Sequence, residues 1–471
     1  MKLFKSITHS GGGYNDKLKL KKYKENNSKI IVGIFLVLIV FALSGVYLYK
    51  TYAVFTSDKQ FNIINGEVQD PGDIYFAYYV DDTITREMPK KGTGYTLDTT
   101  KSNCTNGVVP TWDDDTYSAI LNYENYNTTD YTRTKCNLYF KKATYCDSHS
   151  ETMACQITAL AATDTTNLAT DDYDNTRYIG SNPNNYVSID GELWRIIGTM
   201  KSVDDGTGNK EDRVKLIRSE SIGEYSWDTS ELSVNGGRGV NEWSQADLMK
   251  LLNPGYESES VGGSLYWNNK SGTCYWQLKN STTSCNFTST GIKEKLKNML
   301  GDAVWNTGSN GSNYSWNNII ASKFYELERS SNTGKICSSG DYCNDVIDRT
   351  TTWTGKVGLM YLSDYGYATS GGSTTDRATC LNKELFNWND SRVSDCKNND
   401  WLFNSSYQRT LSPLALSSNA FSVFLVFDSG RADGNSAGGY FGVRPVVYLS
   451  PSVVIQSGDG TSSNPFVLTL T

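Results

Sequence analysis

Histidine, the usual general base of hydrolases, is nearly absent from this chain of 471 residues, which contains only His9 and His149. A serine or cysteine nucleophile needs such a base within hydrogen-bonding distance. His149 lies in a polar stretch between two cysteines, and no HExxH or P-loop motif is present. The sequence therefore predicts no nucleophilic, zinc-dependent or nucleotide-dependent catalysis.

Carboxylates are the remaining residues that could do chemistry in a chain of net charge −7. Two of them could serve as acid and base for glycoside cleavage, but the sequence singles out no pair. Beyond the first 29 residues the chain is acidic, which argues against nucleic acid as a partner. We predict a protein that is not an enzyme and needs no cofactor.

Ten cysteines follow residue 100, a number typical of an oxidising environment. The counting alone leaves many pairings open, but the spacing favours nearest neighbours. Metal binding is the competing interpretation, and it lacks CxxC pairs and histidine ligands. We therefore predict no metal site and five structural disulfides, which are Cys104–Cys136, Cys146–Cys155, Cys274–Cys285, Cys337–Cys343 and Cys380–Cys396.

Calcium is the one cation that two short motifs bring into question. The run Asp204-Asp205-Gly206-Thr207-Gly208 is acidic, but it lacks the spacing and the closing glutamate of a calcium loop. Trp388-Asn389-Asp390 matches part of a known calcium-binding signature without its companion tripeptide. We expect the first to be a hairpin turn and the second to be a chance match, so calcium is possible but unsupported.

An uncharged stretch of twenty residues, Ile30 to Tyr49, has the length of a membrane-crossing helix. Eight lysines precede it, which would keep the N-terminus in the cytoplasm and place the rest of the chain outside the cell. A cleaved signal peptide ending near Ala53 and a buried core helix are the alternatives. We predict an integral, single-pass protein of the cell membrane, with a cytoplasmic tail over 1–29 and a helix over 30–50.

The remaining chain divides in composition at a polar stretch between residues 143 and 150. Before it, alternating apolar residues predict an all-β sandwich-like module over 53–143, with strands in Phe61–Ile64, Ile74–Val80 and Thr116–Tyr123. After it, no further linker occurs, and 150–471 is predicted to be one α+β domain with long loops.

Two hairpin strands and two helices can be read in this larger domain. Asp190-Gly191 separates two apolar runs, as in a tight β-hairpin. Ser244 and Asp247 have the spacing of a capping box for a helix that Asn253-Pro254 ends, and Ile292–Leu300 has helical periodicity. Ile319–Glu328 is a weaker helix candidate.

The end of the chain resembles the closing section of C-type-lectin-like domains. The resemblance is carried by Trp401-Leu402, Leu411-Ser412-Pro413, Phe421–Phe424 and the run GVRPVVYL from Gly442 to Leu449. It is nearest to formylglycine-generating-enzyme-like domains and to membrane-anchored surface proteins of low-GC Gram-positive bacteria. The resemblance implies a two-helix, mixed-sheet domain whose long loops bind ligands, although the reactive cysteine pair of the enzymes does not follow Cys396.

On this basis the loops Asn404–Ser418 and Asp428–Gly439 are the predicted binding face. Arg444, inside a buried strand, is predicted to be a structural residue held by a carboxylate. The predicted ligand contacts are Trp401, Asp428, Arg431, Asp433 and Asn435.

Three functions remain open at this point. The first is an adhesin or receptor that recognises an extracellular glycan or protein through these loops. The second is an extracytoplasmic enzyme on a formylglycine-generating-enzyme-like scaffold, and the third is a structural surface or pilus-associated component. A cleft with convergent titratable groups would favour the enzyme, and a free strand edge would favour the structural component.

Overall fold

A computed structural model describes residues 74–113, 115–126, 134–230, 236–310, 315–331, 349–416 and 420–471. The chain divides into two compact units, of which the first ends at Asp147 and the second begins at Ser148. The predicted tail, the membrane stretch, the strand Phe61–Ile64 and the Cys337–Cys343 pair all lie outside the described residues.

The first unit is built on a five-stranded sheet whose central strand is β7. Strand β7 pairs in parallel with β1 and antiparallel with β3 and β4, and β1 pairs with β2. A separate hairpin joins β5 to β6. The strands are β1 (Tyr75–Val80), β2 (Thr83–Thr85), β3 (Tyr95–Leu97), β4 (Asn103–Cys104), β5 (Val109–Asp113), β6 (Ser118–Asn122) and β7 (Lys135–Lys142).

The core of this unit follows from the alternation in β7. Cys136, Leu138 and Phe140 are buried while their neighbours are not, because successive side chains of a strand point to opposite faces. Cys136 is bonded to Cys104, which lies directly opposite it on β4.

The second unit contains a nine-stranded sheet in the order β18-β23-β12-β11-β10-β25-β24, with β9 and β8 attached to β11. The strands are β8 (Leu168–Thr170), β9 (Thr176–Tyr178), β10 (Tyr186–Ile189), β11 (Glu192–Asp204), β12 (Lys210–Arg218), β18 (Val357–Gly358), β23 (Val446–Tyr448), β24 (Val453–Ser457) and β25 (Phe466–Leu470). The predicted hairpin is present: Ile189 pairs with Glu192 across Asp190-Gly191, whose φ angles are 49° and 79°. Positive φ at both positions matches the tight turn that this dipeptide favours.

A second sheet, in the order β13-β22-β19-β20-β21, carries the predicted binding segments. Its strands are β13 (Glu224–Ser226), β19 (Gln408–Pro413), β20 (Ser422–Val426), β21 (Ala432–Ser436) and β22 (Tyr440–Gly442). The remaining strands form two hairpins, β14 (Ser271–Gln277) with β15 (Ser281–Asn286) and β16 (Ala303–Asn306) with β17 (Thr352–Gly355).

All described helices are short. The α-helices are α1 (Tyr145–Ser148), α2 (Met153–Leu160), α3 (Asp247–Leu252), α4 (Glu294–Asn298), α5 (Ala321–Glu328), α6 (Leu362–Tyr367), α7 (Arg377–Leu381) and α8 (Ser394–Asn398). The 3₁₀ turns are Trp243–Gln245, Trp316–Asn318, Leu385–Asn387 and Ser391–Val393. The predicted capping box is wrong, because Ser244 bonds to Glu242 within a 3₁₀ turn and α3 begins without a side-chain cap.

The predicted fold class is corrected in two respects. First, the described residues are mostly β-sheet with few short helices, so the α+β description of the larger domain is wrong; the β-rich first unit is consistent with a sandwich. Second, none of the helices in the described ranges has both the length and the apolar character needed to cross a membrane. The longest have eight residues, about 12 Å at 1.5 Å per residue, against about 30 Å of hydrocarbon.

The predictions of an integral membrane protein, with its N-terminus inside and a location in the cell membrane, are therefore corrected as well. The observation that bears on location is the set of disulfide bonds. Three of the predicted bridges are present, Cys104–Cys136, Cys274–Cys285 and Cys380–Cys396, and Cys146 and Cys155 are also disulfide-bonded. Such bonds persist in oxidising compartments and indicate an extracellular or secreted protein.

Candidate functional site

The segment Asp428–Gly439, predicted as a loop, contains an edge strand. Residues 432–436 form β21, which pairs with β20 along its whole length, and only Phe427–Arg431 make the turn between them. The segment 404–418 is likewise not a loop throughout, because it contains β19. The sequence did not predict β21, because Ala-Asp-Gly-Asn-Ser has little strand propensity. The segment becomes a strand by pairing with the buried strand β20.

Four neighbouring strands place one large side chain each at the same end of the second sheet. Gln408 pairs with both Val426 and Gly442, and Val426 pairs with Ala432. The adjacent residues Tyr407, Phe427, Phe441 and Arg431 therefore lie side by side, and we call these four residues the aromatic row. The successive distances confirm this, at 5.5 Å between the Phe441 and Tyr407 rings, 5.0 Å between Tyr407 and Phe427, and 4.8 Å from Phe427 to the Arg431 guanidinium.

An ion pair completes one end of the aromatic row. Arg431 Nη2 lies 2.8 Å from Asp433 Oδ2, and the two side chains are 33% and 13% exposed. The guanidinium is also 5.3 Å from the ring of Phe386, in the segment that the Cys380–Cys396 bridge closes. Flanked by two rings and a carboxylate, Arg431 has little rotational freedom left and still reaches solvent.

The carboxyl group of Asp433 has a raised pKa. Its partial burial is the main cause, and the backbone amide of Gly434 and the charge of Arg431 act in the opposite direction. A carboxyl group in this state can accept hydrogen bonds from a ligand and lies next to the strongest donor of the row. Asn435 follows on the same strand, where its side-chain oxygen accepts from the amide of Ser436, and Asp428 is exposed in the turn.

A buried arginine supports the other end of the aromatic row. Arg409 donates to the backbone oxygens of Ser436 and Ala437 at 3.2 and 2.9 Å, and its guanidinium lies 4.8 Å from the Phe441 ring. Burial lowers the pKa of Arg409 to about 9. The arginine thus fixes the connection between β21 and β22 beneath the row.

Trp401 is not brought together with the other predicted contacts. It is buried, its indole nitrogen donates to the backbone oxygen of Tyr178 at 2.9 Å, and the guanidinium of Arg195 lies 4.5 Å from its ring. These contacts indicate a core position.

Arg444 is buried, but the prediction that a carboxylate holds it is wrong for the described residues. Its guanidinium donates to Arg218 O at 2.9 Å and to Gln408 Oε1 at 3.1 Å. Burial, with the nearby charge of Arg195, lowers the pKa of Arg444 to about 10. Two neutral acceptors therefore hold Arg444 in the short segment between β22 of the second sheet and β23 of the nine-stranded sheet.

Two sequence motifs have structural explanations. In Trp388-Asn389-Asp390 the tryptophan is buried, and Asp390 caps the 3₁₀ turn and pairs with Arg392 at 2.6 Å. Among the described residues no group of three or more His, Cys, Asp or Glu side chains could hold a metal ion.

Residues 434–438 read Gly-Asn-Ser-Ala-Gly, which has the spacing of a hydrolase nucleophile turn. Ser436, however, lies on the edge strand β21, and its hydroxyl donates to Arg238 O.

A pair of carboxyl groups, the buried Asp228 and the half-buried Asp247, was not predicted from the sequence. Asp228 accepts from the amides of Ser230 and Val240, and Asp247 accepts from the amide and hydroxyl of Thr229. Burial, and then the charge of Asp228, raises the pKa of Asp247 to about 6. No local pattern marks this pair, because the two residues meet only where β13 leads into α3.

The pair predicts a pH dependence of stability. A carboxyl group whose pKa is higher in the folded state stabilises the fold below pH about 4, and this contribution is lost as pH rises toward 6. Asp247→Asn keeps an acceptor for Thr229 and removes the charge. We expect urea denaturation at pH 7.5 to show a gain on the order of 2 kcal/mol in unfolding free energy. The gain should vanish at pH 4, and a loss of stability at pH 7.5 would contradict this explanation.

No protein-family model matches the chain, and no curated protein or solved structure matches it significantly. The function must therefore be argued from the arrangement of side chains itself.

Proposed function

We propose that this chain is an extracellular binding protein that recognises a glycan at the aromatic row and the Arg431–Asp433 pair. The choice of a glycan as the ligand follows from the resemblance of the end of the chain to lectin-like domains. The observation that carries it is the alignment of three rings and one ion pair along the end of four adjacent strands.

The chemistry of a sugar ring matches this arrangement. A pyranose has a face of C–H groups that packs on an aromatic ring, and a circumference of hydroxyls that donate and accept hydrogen bonds. Tyr407 is 37% exposed and supplies both a ring and a hydroxyl. Arg431 offers donors and Asp433 offers acceptors in fixed positions, which is what orients a ligand.

The scaffold supports the proposal because it is rigid below the aromatic row. Every residue of β20 is buried, and Arg409 holds the next connection through backbone oxygens. Side chains that are fixed before binding lose little conformational entropy when a ligand arrives.

The test is a glycan array probed with the full-length protein. Arg431→Ala combined with Asp433→Ala should weaken binding to the best glycan by roughly tenfold or more, since charge-assisted hydrogen bonds are lost. The melting temperature should fall only modestly, because both partners of the pair are removed together and no unpaired charge is left behind.

The chain offers a matched control for this variant. Asp390 and Arg392 form an ion pair of the same type and spacing that is not part of the aromatic row, and Arg392 is 86% exposed. Replacing both by alanine should leave glycan binding unchanged. A protein that binds no glycan on the array but captures a protein ligand, or equal losses in both double variants, would contradict the proposal.

A further inference from the structure

A cleft of about 290 Å³ opens in the second unit, away from the aromatic row. Its lining includes Val203, Val304 and Tyr448 together with the cationic side chains of Lys201, Lys210 and Arg329. The volume is at the small end of the range for ligand sites in proteins, enough for one ring and its substituent.

A β-bulge shapes one wall of this cleft. The register of β11 against β12 shifts between Met200 and Val203, and Ser202 has a φ of 53°, which is uncommon for a residue other than glycine. The bulge interrupts the alternation of side chains, so that all five residues from 200 to 204 line the cleft. Bulges of this kind are common beside functional sites.

The acidic groups near the cleft form hydrogen bonds or ion pairs with other groups of the protein. Asp204 Oδ1 accepts from the amides of Gly206 and Gly208 in the turn, and Asp212 pairs with Lys201 at 2.7 Å. Glu328 is buried, and its two oxygens accept three hydrogen bonds from Ser363 and Ser412. Its burial also raises its pKa.

Two cations at the cleft are consequently left with spare donors. Within the described part of the chain, Lys210 has no carboxylate within 4 Å, and it is exposed. Arg329 reaches Glu328 only at 3.6 Å and donates to Tyr325 O at 3.2 Å. Its guanidinium stacks on the Tyr325 ring at 3.4 Å, which fixes the plane of the group while 25% of the side chain stays exposed.

We propose that this cleft binds a small organic anion, with its apolar part against Val203 and Tyr448 and its carboxylate or phosphate on Arg329 and Lys210. A guanidinium held flat by an aromatic ring presents parallel N–H groups that match the two oxygens of such an anion. This site is independent of the glycan site proposed above.

Calorimetric titration of the full-length protein with benzoate, phenyl phosphate and benzamide at constant ionic strength tests the proposal. Benzamide has the shape of benzoate without its charge, so it should bind at least roughly tenfold more weakly than the better of the two anions. The tighter of benzoate and phenyl phosphate identifies the anionic group. Equal binding of benzamide and both anions, or no saturable binding of either anion, would overturn the site.

Amino-acid substitutions test whether the anion binds in this cleft. Lys210→Gln, at an exposed position, should weaken the better anion roughly threefold to fivefold, and Arg329→Gln roughly tenfold or more. Lys383→Gln is the matched control: this lysine pairs with Glu384 and does not line the cleft, so the variant should bind as the wild type does. The Arg431→Ala, Asp433→Ala variant should also bind the anion normally. Wild-type affinity in Lys210→Gln would refute the assignment even if Arg329→Gln fails to fold.

Discussion

Asp364→Ala should lower the unfolding free energy of the second unit by about 3–5 kcal/mol, the usual cost of leaving buried charges without their partner. Asp364 is almost fully buried, and its carboxylate lies 2.6 Å from Arg177 Nη1 and 2.5 Å from Lys215 Nζ. It also accepts from the amide of Tyr361 at the start of α6. One carboxylate thus joins β9, β12 and α6.

The pKa shifts of Asp364 and Lys215 agree with a network that stabilises the fold through opposite buried charges. Burial alone would raise the pKa of Asp364, but the charges of Lys215 and Arg177 bring it below the ordinary value. Burial lowers the pKa of Lys215 to about 8, and Asp364 opposes that shift. Removing the carboxylate leaves two buried cations, of which Arg177 keeps Asp171 at 2.8 Å and Lys215 keeps only its aromatic neighbours among the described residues.

Urea denaturation followed by tryptophan fluorescence measures the effect, because ten of the eleven tryptophans lie in the second unit. Lys323→Ala is the control, since its pair with Glu326 is exposed and should contribute no more than about 0.5 kcal/mol. A loss below about 1 kcal/mol in Asp364→Ala would show that the network does not hold these elements together.

Arg444→Ala should cost about 2–4 kcal/mol, by leaving the backbone oxygen of Arg218 and the amide oxygen of Gln408 without a donor and by opening a cavity. The expected loss is smaller than for Asp364 because no opposite charge is left behind. Arg444→Met retains most of the volume, so it should recover part of the loss in the same denaturation experiment.

The Arg444→Ala variant also distinguishes a structural role of this arginine from a direct role in glycan binding. Gln408 is the first residue of β19 and follows Tyr407 of the aromatic row. A variant that unfolds earlier and loses glycan binding in proportion supports a structural role. An Arg444→Ala protein with wild-type stability and no glycan binding would place the binding site at this arginine instead.

Local patterns predicted those parts of the fold that depend on neighbouring residues. The Asp190-Gly191 hairpin follows from a turn dipeptide between apolar runs, and three disulfides join cysteines at most 32 residues apart. The helices were predicted too long at their ends: α4 spans Glu294–Asn298 and not Ile292–Leu300, because apolar periodicity marks the buried face of a helix and not the residue at which the helix ends.

Long-range features could not be predicted in this way. Arg177 and Asp364 are 187 residues apart and meet only after the sheet has formed. Of the proposed glycan site, the sequence indicated Arg431 and Asp433 and placed Tyr407 in a predicted binding loop, but it did not indicate Phe427 or Phe441. Those rings join the site through strand register, which depends on pairings between β19, β20 and β22 that no local pattern encodes.

The most direct test of the central claim is hydrogen exchange of the full-length protein with and without the best glycan from the array. If the aromatic row is the binding site, the glycan should slow exchange in peptides that cover residues 404–409, 427–433 and 440–442. Exchange in residues 200–210 and 325–331, at the anion cleft, should not change. Protection confined to the cleft, or to the first unit between residues 74 and 147, would contradict the proposed function.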